Sequence, residues 1–209
     1  MIVSHRHRFI FFAVPRTATH SIRDALRPHL GPNDWEQQML TRHRHLPIPE
    51  LAAVRHGHIS VSQAEAHLPA EIWRSYFKFA FVRHPVDRFV SACCFLNRGN
   101  PEFAGRETAW MKQALTRPPF LRRVLIAPQV SLLHDRTGRI PLDLLGRYEG
   151  LQAAFEAVCE RVGLPGATLA AANASRRETP AHYLEPDLED ALTRFYAADF
   201  TSFGYPPRP

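Results

Sequence analysis

The chain has 209 residues, of which 45% are hydrophobic, 11% aromatic and 22% charged, the composition of a globular protein rather than a disordered one. A chain of this length makes one domain, or at most two small ones, and buries a core without metal or disulfide staples; a single domain over residues 1–209 is expected. The formal net charge of +6 favours anionic partners without choosing among nucleic acid, membrane surface, acidic polysaccharide and nucleotide phosphates.

Lys78 and Lys112 are the only lysines, so arginine supplies 24 of the 26 basic residues. Guanidinium recognises phosphate and sulfate in a planar, bidentate way, but a GC-rich genome produces the same excess, so position must carry the argument. Cys93 and Cys94 are adjacent and Cys159 is isolated. That spacing gives neither a disulfide framework nor a C-x-x-C zinc site, and points to the cytoplasm. The apolar run Phe9 to Val14 is too short to span a bilayer. His5-Arg6-His7-Arg8 before it imitates the start of a signal peptide, but Pro15-Arg16 ends the run too early.

In chain order, Phe9 to Val14 reads as a strand buried on both faces. Thr19 to Leu30 reads as a helix with Ile22, Ala25 and Leu26 on one face, closed by Pro28 and Gly31. Asn33 to Arg55 has no clear period and is expected to be loop and irregular helix. Ser62 to Leu68 is a helix candidate, Phe77 to Val82 a strand, and Val86 to Leu96 a helix opened by Pro85, with Val86, Phe89, Val90 and Cys93 at helical spacing. Glu102 to Leu115, Gly150 to Val162 and Pro186 to Ala197 complete the helices. Strand, turn, helix and strand again predict an α/β sheet with right-handed crossovers.

Two strand-to-helix turns carry candidate anion sites. Pro15-Arg16-Thr17-Ala18-Thr19-His20-Ser21 follows the first strand. Backbone N–H groups and a helix N-terminus converge in such a loop. Thr17, Ala18 and Thr19 allow close backbone approach, the Thr19 and Ser21 hydroxyls add donors, and Arg16 supplies charge. The alternative is an ordinary turn with Thr19 as helix cap. The segment lacks glycine and the G-x-x-x-x-G-K-S/T pattern of nucleotide triphosphatases. In the second turn Arg83 leaves the strand end and Ser91 lies eight residues on, where the two can hold another phosphate. Asp87 and Arg88 beside them read as a helix-start acid and a solvated or ion-paired arginine.

Together the two segments resemble the paired phosphate motifs of the family-2 sulfotransferases, Pro-(Lys/Arg)-x-(Ala/Gly)-(Ser/Thr)-x-Ser followed by Arg-x-Pro-x-x-Arg-x-x-Ser. Cys94-Phe-Leu-Asn-Arg-Gly-Asn100, Leu142 to Leu151 and Asp199-Phe-Thr-Ser-Phe-Gly-Tyr205 are similar to later segments of that family, so the likeness runs from Phe9 to Tyr205. The resemblance implies a P-loop NTPase-like three-layer α/β fold, with a central, mostly parallel sheet flanked by helices. It also implies 3′-phosphoadenosine 5′-phosphosulfate, PAPS, as sulfuryl donor with no metal, and a hydroxyl acceptor, most naturally a glycan. Arg16, Thr17, Ala18, Thr19, His20 and Ser21 would hold the 5′-phosphosulfate, and Arg83 and Ser91 the 3′-phosphate. Arg176 and Arg177, in the polar loop Asn173 to Pro180, would close over the nucleotide. Arg16 stands where the family usually has lysine, and His20 where it has Ser or Thr; the guanidinium keeps the charge but cannot deliver a proton. The chain is also shorter than the Golgi members, and no membrane anchor like theirs is expected.

Sulfuryl transfer needs a base beside the acceptor hydroxyl, and neutral imidazole suits that task. Arg55-His56-Gly57-His58-Ile59-Ser60 is similar to the His-Gly-His segment of the 2-O-sulfotransferases, which implies His58 as base and His56 as a secondary active-site histidine, with Gly57 letting the backbone turn. His5/His7, His43/His45 and His56/His58 form three His-x-His pairs, but no acidic residue adjoins the third and arginine separates the others, so no metal site is expected. Rival readings are a nucleotide-dependent kinase on a related P-loop fold, which lacks its Gly-Lys-Ser/Thr, and a non-enzymatic nucleic-acid binder, for which no reader motif is present.

Overall fold

Phe9, Phe11, Phe79 and Phe81 alternate with Ile10, Phe12, Ala80 and Val82, and in a pleated strand such alternation sends the two sets to opposite faces. In the computed structural model, which describes residues 1–37, 46–164, 166–169 and 183–206, both sets are buried. The strands are β1 (Ile2–Ser4), β2 (Phe9–Phe12), β3 (Trp35–Glu36), β4 (Phe77–Val82) and β5 (Leu144–Arg147). The helices are α1 (Thr19–Leu26), α2 (Pro49–Ala52), α3 (Val61–His67), α4 (Ala70–Ser75), α5 (Pro85–Leu96), α6 (Glu107–Leu115), α7 (Pro118–Leu121), α8 (Val130–Leu133), α9 (Leu151–Arg161), α10 (Pro186–Phe195) and α11 (Ala197–Phe203). The chain divides into two units, Met1–Val82 with Ser131–Ala172, and Arg83–Val130 with Asn173–Pro209.

The first unit holds the whole sheet, in the order β3-β1-β2-β4-β5. β2 pairs parallel with β4, and β4 parallel with β5, while β1 is antiparallel to both β2 and β3. β1 therefore runs against the other four strands, and the expected mixed α/β architecture, mostly parallel through its centre and flanked by helices, is observed. The register runs from Phe9↔Phe77 to Phe12↔Ala80, so β2 and β4 end at the same edge of the sheet. From that edge the chain departs into Ala13–Ala18 and, from Val82, into Arg83; open α/β sheets present ligands there.

One face of the sheet buries Phe9, Phe11, Phe79 and Phe81 against Ile22 and Leu26 of α1 and Phe155 and Val158 of α9. The Phe11 and Phe79 rings stack at 5.2 Å; burying each such ring contributes about 1.5–3 kcal/mol. On the other face Phe12 meets Trp73 of α4 edge-on at 6.4 Å. The Lys78 ammonium there donates to the carbonyls of Trp73 (3.1 Å) and Tyr76 (2.9 Å). Gly146 on β5 has a packing reason to be glycine, because a Cβ at that position would lie 2.6 Å from the Phe81 ring and 3.0 Å from Ala154 Cβ.

Several boundaries differ from expectation. The first predicted strand, Phe9 to Val14, stops at Phe12, the last residue with a ladder partner on β4. The helix expected to reach Leu30 is α-helical to Leu26 and a 3-10 turn over Arg27–His29, because Pro28 has no N–H to continue the ladder. Gly105, at φ 76°, sits in the left-handed region, and α6 starts at Glu107 rather than Glu102. The last predicted helix, Pro186 to Ala197, is α10, which ends at Phe195, and a further helix not expected from the sequence, α11, follows it after Tyr196. Within Asn33 to Arg55, β3 and α2 are formed elements.

In the second unit Val86, Phe89, Val90 and Cys93 of α5 are buried as their spacing predicts. Trp110 of α6 is met edge-on by Phe103 at 5.4 Å and by Phe120 at 5.5 Å. The Lys112 ammonium bridges Glu185 and Asp187 at the start of α10.

Candidate active site

The loop between β2 and α1 alternates in hand. Arg16 (φ 68°) and Ala18 (φ 61°) are left-handed while Thr17 between them is not. Left-handed backbone is uncommon for residues other than glycine and recurs at functional sites. Alternation of this kind turns successive amides into one concavity suited to an anion. Thr17 is fully buried and its hydroxyl donates to the Val14 carbonyl at 2.9 Å, folding the loop back on itself. Ala18, not Thr19, is the N-cap of α1, and no side chain caps it among the described residues. Thr19 is the first helical residue and is buried, Ser21 is half-buried and His20 is exposed.

His58 is tied to this loop. Its Nδ1 lies 2.7 Å from the Ala13 carbonyl. A carbonyl can only accept, so Nδ1 carries the hydrogen and the Nε2 lone pair is left available. His56 has the opposite arrangement: its Nδ1 accepts from the His58 N–H at 3.3 Å, which leaves the hydrogen of the neutral ring on Nε2. The two rings are 5.7 Å apart and both side chains are half-buried. Burial holds the His58 imidazole down to about 3, outweighing the Ala13 hydrogen bond that would raise it, and the Arg23 guanidinium acts in the same direction as burial. Burial also lowers His56.

The backbone of the histidine loop is clamped from beneath. Buried Arg23 of α1 pairs with Glu36 of β3 at 3.2 Å and donates through Nη2 to the Gly57 carbonyl at 3.3 Å. The Met1 amino group donates to the same carbonyl. The Gln37 amide donates to the carbonyls of Leu51 (2.9 Å) and His56 (3.3 Å). Burial would raise the Glu36 carboxyl, but hydrogen bonds and charge from Arg27 and Arg23 hold it below the usual range. Gly57 is not the left-handed residue of this turn; Arg55, at φ 59°, is. Ser60 then starts α3 with a capping box, its Oγ accepting from Gln63 N–H while Gln63 Oε1 accepts from Ser60 N–H.

Arg83 and Ser91 belong to the second unit. Arg83 directly follows β4, and Ser91 lies half-buried in α5. Arg88 departs from the solvated or ion-paired arginine expected at a helix start. It is fully buried, donating to the carbonyls of Leu125 (3.1 Å), Ile126 (3.1 Å) and Ala127 (2.5 Å), with Tyr196 beneath its guanidinium. α5 buries nearly all of its surface between Pro85 and Cys93, so position 88 has no route to water. Two site residues carry no sequence signal: Gln129, whose amide grips the main chain of Arg83, and Arg23. Both act across long separations that no local motif marks. Arg176 and Arg177 lie outside the described residues, as does the His43/His45 pair.

A family model described as Sulfotransferase family matches residues 1–206. The chain belongs to the sulfotransferase family. Searches of curated proteins and of solved structures return no significant match. The match runs through both units of this sulfotransferase, and it selects sulfuryl transfer over phosphoryl transfer, the rival reading of the same loops. Among the described residues no group of three or more His, Cys, Asp or Glu side chains is placed to hold a metal ion, and no helix is long and apolar enough to cross a membrane.

Proposed function

We propose that this sulfotransferase moves the sulfuryl group of PAPS to a hydroxyl of a carbohydrate acceptor, by in-line transfer with His58 as base. The observation that carries the reading is the hydrogen bond from His58 Nδ1–H to Ala13 O, 2.7 Å. It aims a neutral imidazole with a free Nε2 lone pair from the backbone that runs into the anion loop. In the transfer, Nε2 takes the acceptor proton, the acceptor oxygen forms a bond to sulfur, and the bond between sulfur and the 5′-phosphate oxygen breaks. A sulfate ester and 3′-phosphoadenosine 5′-phosphate result. Arg16 and the amides of Thr17 to Ser21 stabilise charge on the transferring group and the departing phosphate, so positioning and electrostatics do most of the catalysis. Arg cannot protonate the leaving phosphate, and its contribution is charge and donors alone. His56, with its hydrogen on Nε2, serves as a donor beside the base.

Arg83 and Ser91 are assigned to the 3′-phosphate, and Arg176 and Arg177 to a cover over the nucleotide. The parallel β2-β4-β5 core and the ligand edge it creates support a P-loop NTPase-like arrangement within a single catalytic domain. Guanidinium and backbone amides supply the positive charge that a metal provides in phosphoryl transfer. Three cysteines, all free thiols, support a reducing cytoplasmic setting. The glycan acceptor rests on the resemblance of the sequence to the family-2 sulfotransferases.

The test is turnover with PAPS, combined with calorimetric binding of 3′-phosphoadenosine 5′-phosphate. Arg16→Ala and Arg83→Ala are expected to abolish turnover, whereas His58→Ala removes transfer and keeps nucleotide binding. A His58→Ala enzyme that still transfers at the original rate, or one that no longer binds nucleotide, would overturn the assignment of the base.

A further inference from the structure

Arg83 is gripped by a single side chain. Gln129 is fully buried; its Oε1 accepts from the Arg83 N–H at 3.0 Å and its Nε2 donates to the Arg83 carbonyl at 2.8 Å. A primary amide offering one acceptor and one donor to the same residue imitates a neighbouring strand, and continues the pairing of β4 one residue past its end. Both peptide groups flanking Arg83 are thereby fixed, and with them the direction in which its Cα–Cβ bond points.

The amide itself is fixed by Asp199. That carboxylate, fully buried in the first turn of α11, accepts from Gln129 N–H (2.9 Å), from Val130 N–H (2.8 Å) and from Gln129 Nε2 (3.3 Å). Flipping the amide would turn its oxygen toward the carboxylate and its NH₂ toward the Arg83 N–H, so only one orientation is compatible with its neighbours. Arg88 holds the carbonyls of Leu125, Ile126 and Ala127, just before Gln129, and the Tyr196 hydroxyl donates to the same Ile126 carbonyl at 2.6 Å. The segment that carries the gripping amide is thus secured on both sides of it.

We propose that Gln129 is a positioning residue for nucleotide selection. By fixing the backbone of Arg83 it sets how strongly the enzyme prefers a nucleotide bearing a 3′-phosphate over one lacking it, and Asp199 keeps Gln129 in register. This rests on the assignment of Arg83 to the 3′-phosphate. A glutamine that only stabilised the fold would weaken every nucleotide alike, whereas one that aims Arg83 acts on the 3′-phosphate selectively.

The experiment compares the dissociation constants of 3′-phosphoadenosine 5′-phosphate and adenosine 5′-phosphate, by calorimetry on the full chain. Gln129→Leu is expected to lower the preference for the bisphosphate roughly tenfold, the scale of a charge-assisted hydrogen bond that is no longer aligned, while affinity for the monophosphate stays within about threefold. If Gln129→Leu does not fold, Gln129→Asn, which keeps a buried amide one methylene short of Arg83, is read in the same way. Arg83→Ala separates the two layers of the argument. If Arg83→Ala leaves the preference intact, the assignment of Arg83 fails and the proposal fails with it. If Arg83→Ala abolishes the preference but the Gln129 variants keep it, or weaken both nucleotides equally, the assignment stands and the role of Gln129 is refuted.

Discussion

The half-buried imidazole of His58 makes the stability of the protein depend on pH in a predictable way. In the unfolded chain the ring titrates at its ordinary value of 6.5, whereas in the folded protein burial holds it down to about 3. Below about pH 6.5 the unfolded state therefore binds a proton that the folded state refuses, and stability falls as pH drops through the window between the two values. At pH 5 the difference amounts to about 2 kcal/mol relative to pH 7.5. That figure depends almost wholly on the unfolded-state value, because the folded ring is still neutral at pH 5. Urea unfolding of the wild type and of His58→Gln at the two pH values checks it; glutamine can still donate to the Ala13 carbonyl but has no proton to take up. The wild type should lose about 2 kcal/mol more than the variant on going to pH 5. Equal losses would refute the argument that burial keeps the imidazole neutral in the folded protein.

Other substitutions test separate parts of the structure. Gly146→Ala drives a methyl to 2.6 Å from the Phe81 ring and should destabilise by about 1–3 kcal/mol in urea titration, with part of the loss recovered in a Gly146→Ala, Phe81→Leu double variant. Arg88→Met strands three backbone carbonyls and should cost about 3 kcal/mol or more; because those partners are not carboxylates, salt should leave the loss nearly unchanged. Arg23→Met leaves Glu36 buried beside Arg27 alone and should cost about 3 kcal/mol, whereas Arg23→Met with Glu36→Met recovers much of it in the same titration.

The sequence was most legible where local chemistry and fold agree. β4 spans Phe77–Val82 as predicted, because an apolar stretch interrupted only by Lys78, between two helix-compatible segments, has one good solution in a parallel sheet. The turn from β2 into α1 was equally readable, since Pro15 and the small residues after it can hardly continue either element. β1 escaped notice because Ile2–Ser4 is too short to show a period, and its pairing with β2 depends on a tight turn made without glycine. Arg88 misled because a charged residue near a helix start is usually solvated. Its burial follows from what surrounds α5, which the helix's own pattern does not encode. Gln129 and Asp199 stand 70 residues apart, and nothing in the terminal motif that contains Asp199 points to its partner.

The phenylalanine-rich face of β2 and β4 bears on how the protein is made. Phe9, Phe11, Phe79 and Phe81 leave the ribosome long before α9, whose Phe155 and Val158 complete their cover. The intervening stretch 83–130 belongs to the other unit, which in turn waits for residues 173–209. Each unit is therefore closed by a segment synthesised late, and the nascent chain carries an uncovered aromatic surface for most of its translation, the kind of exposure that recruits chaperones or seeds aggregation. Substitutions on the inner face of α9 should accordingly be felt first as a fall in soluble yield, before any loss of catalytic rate in the molecules that fold.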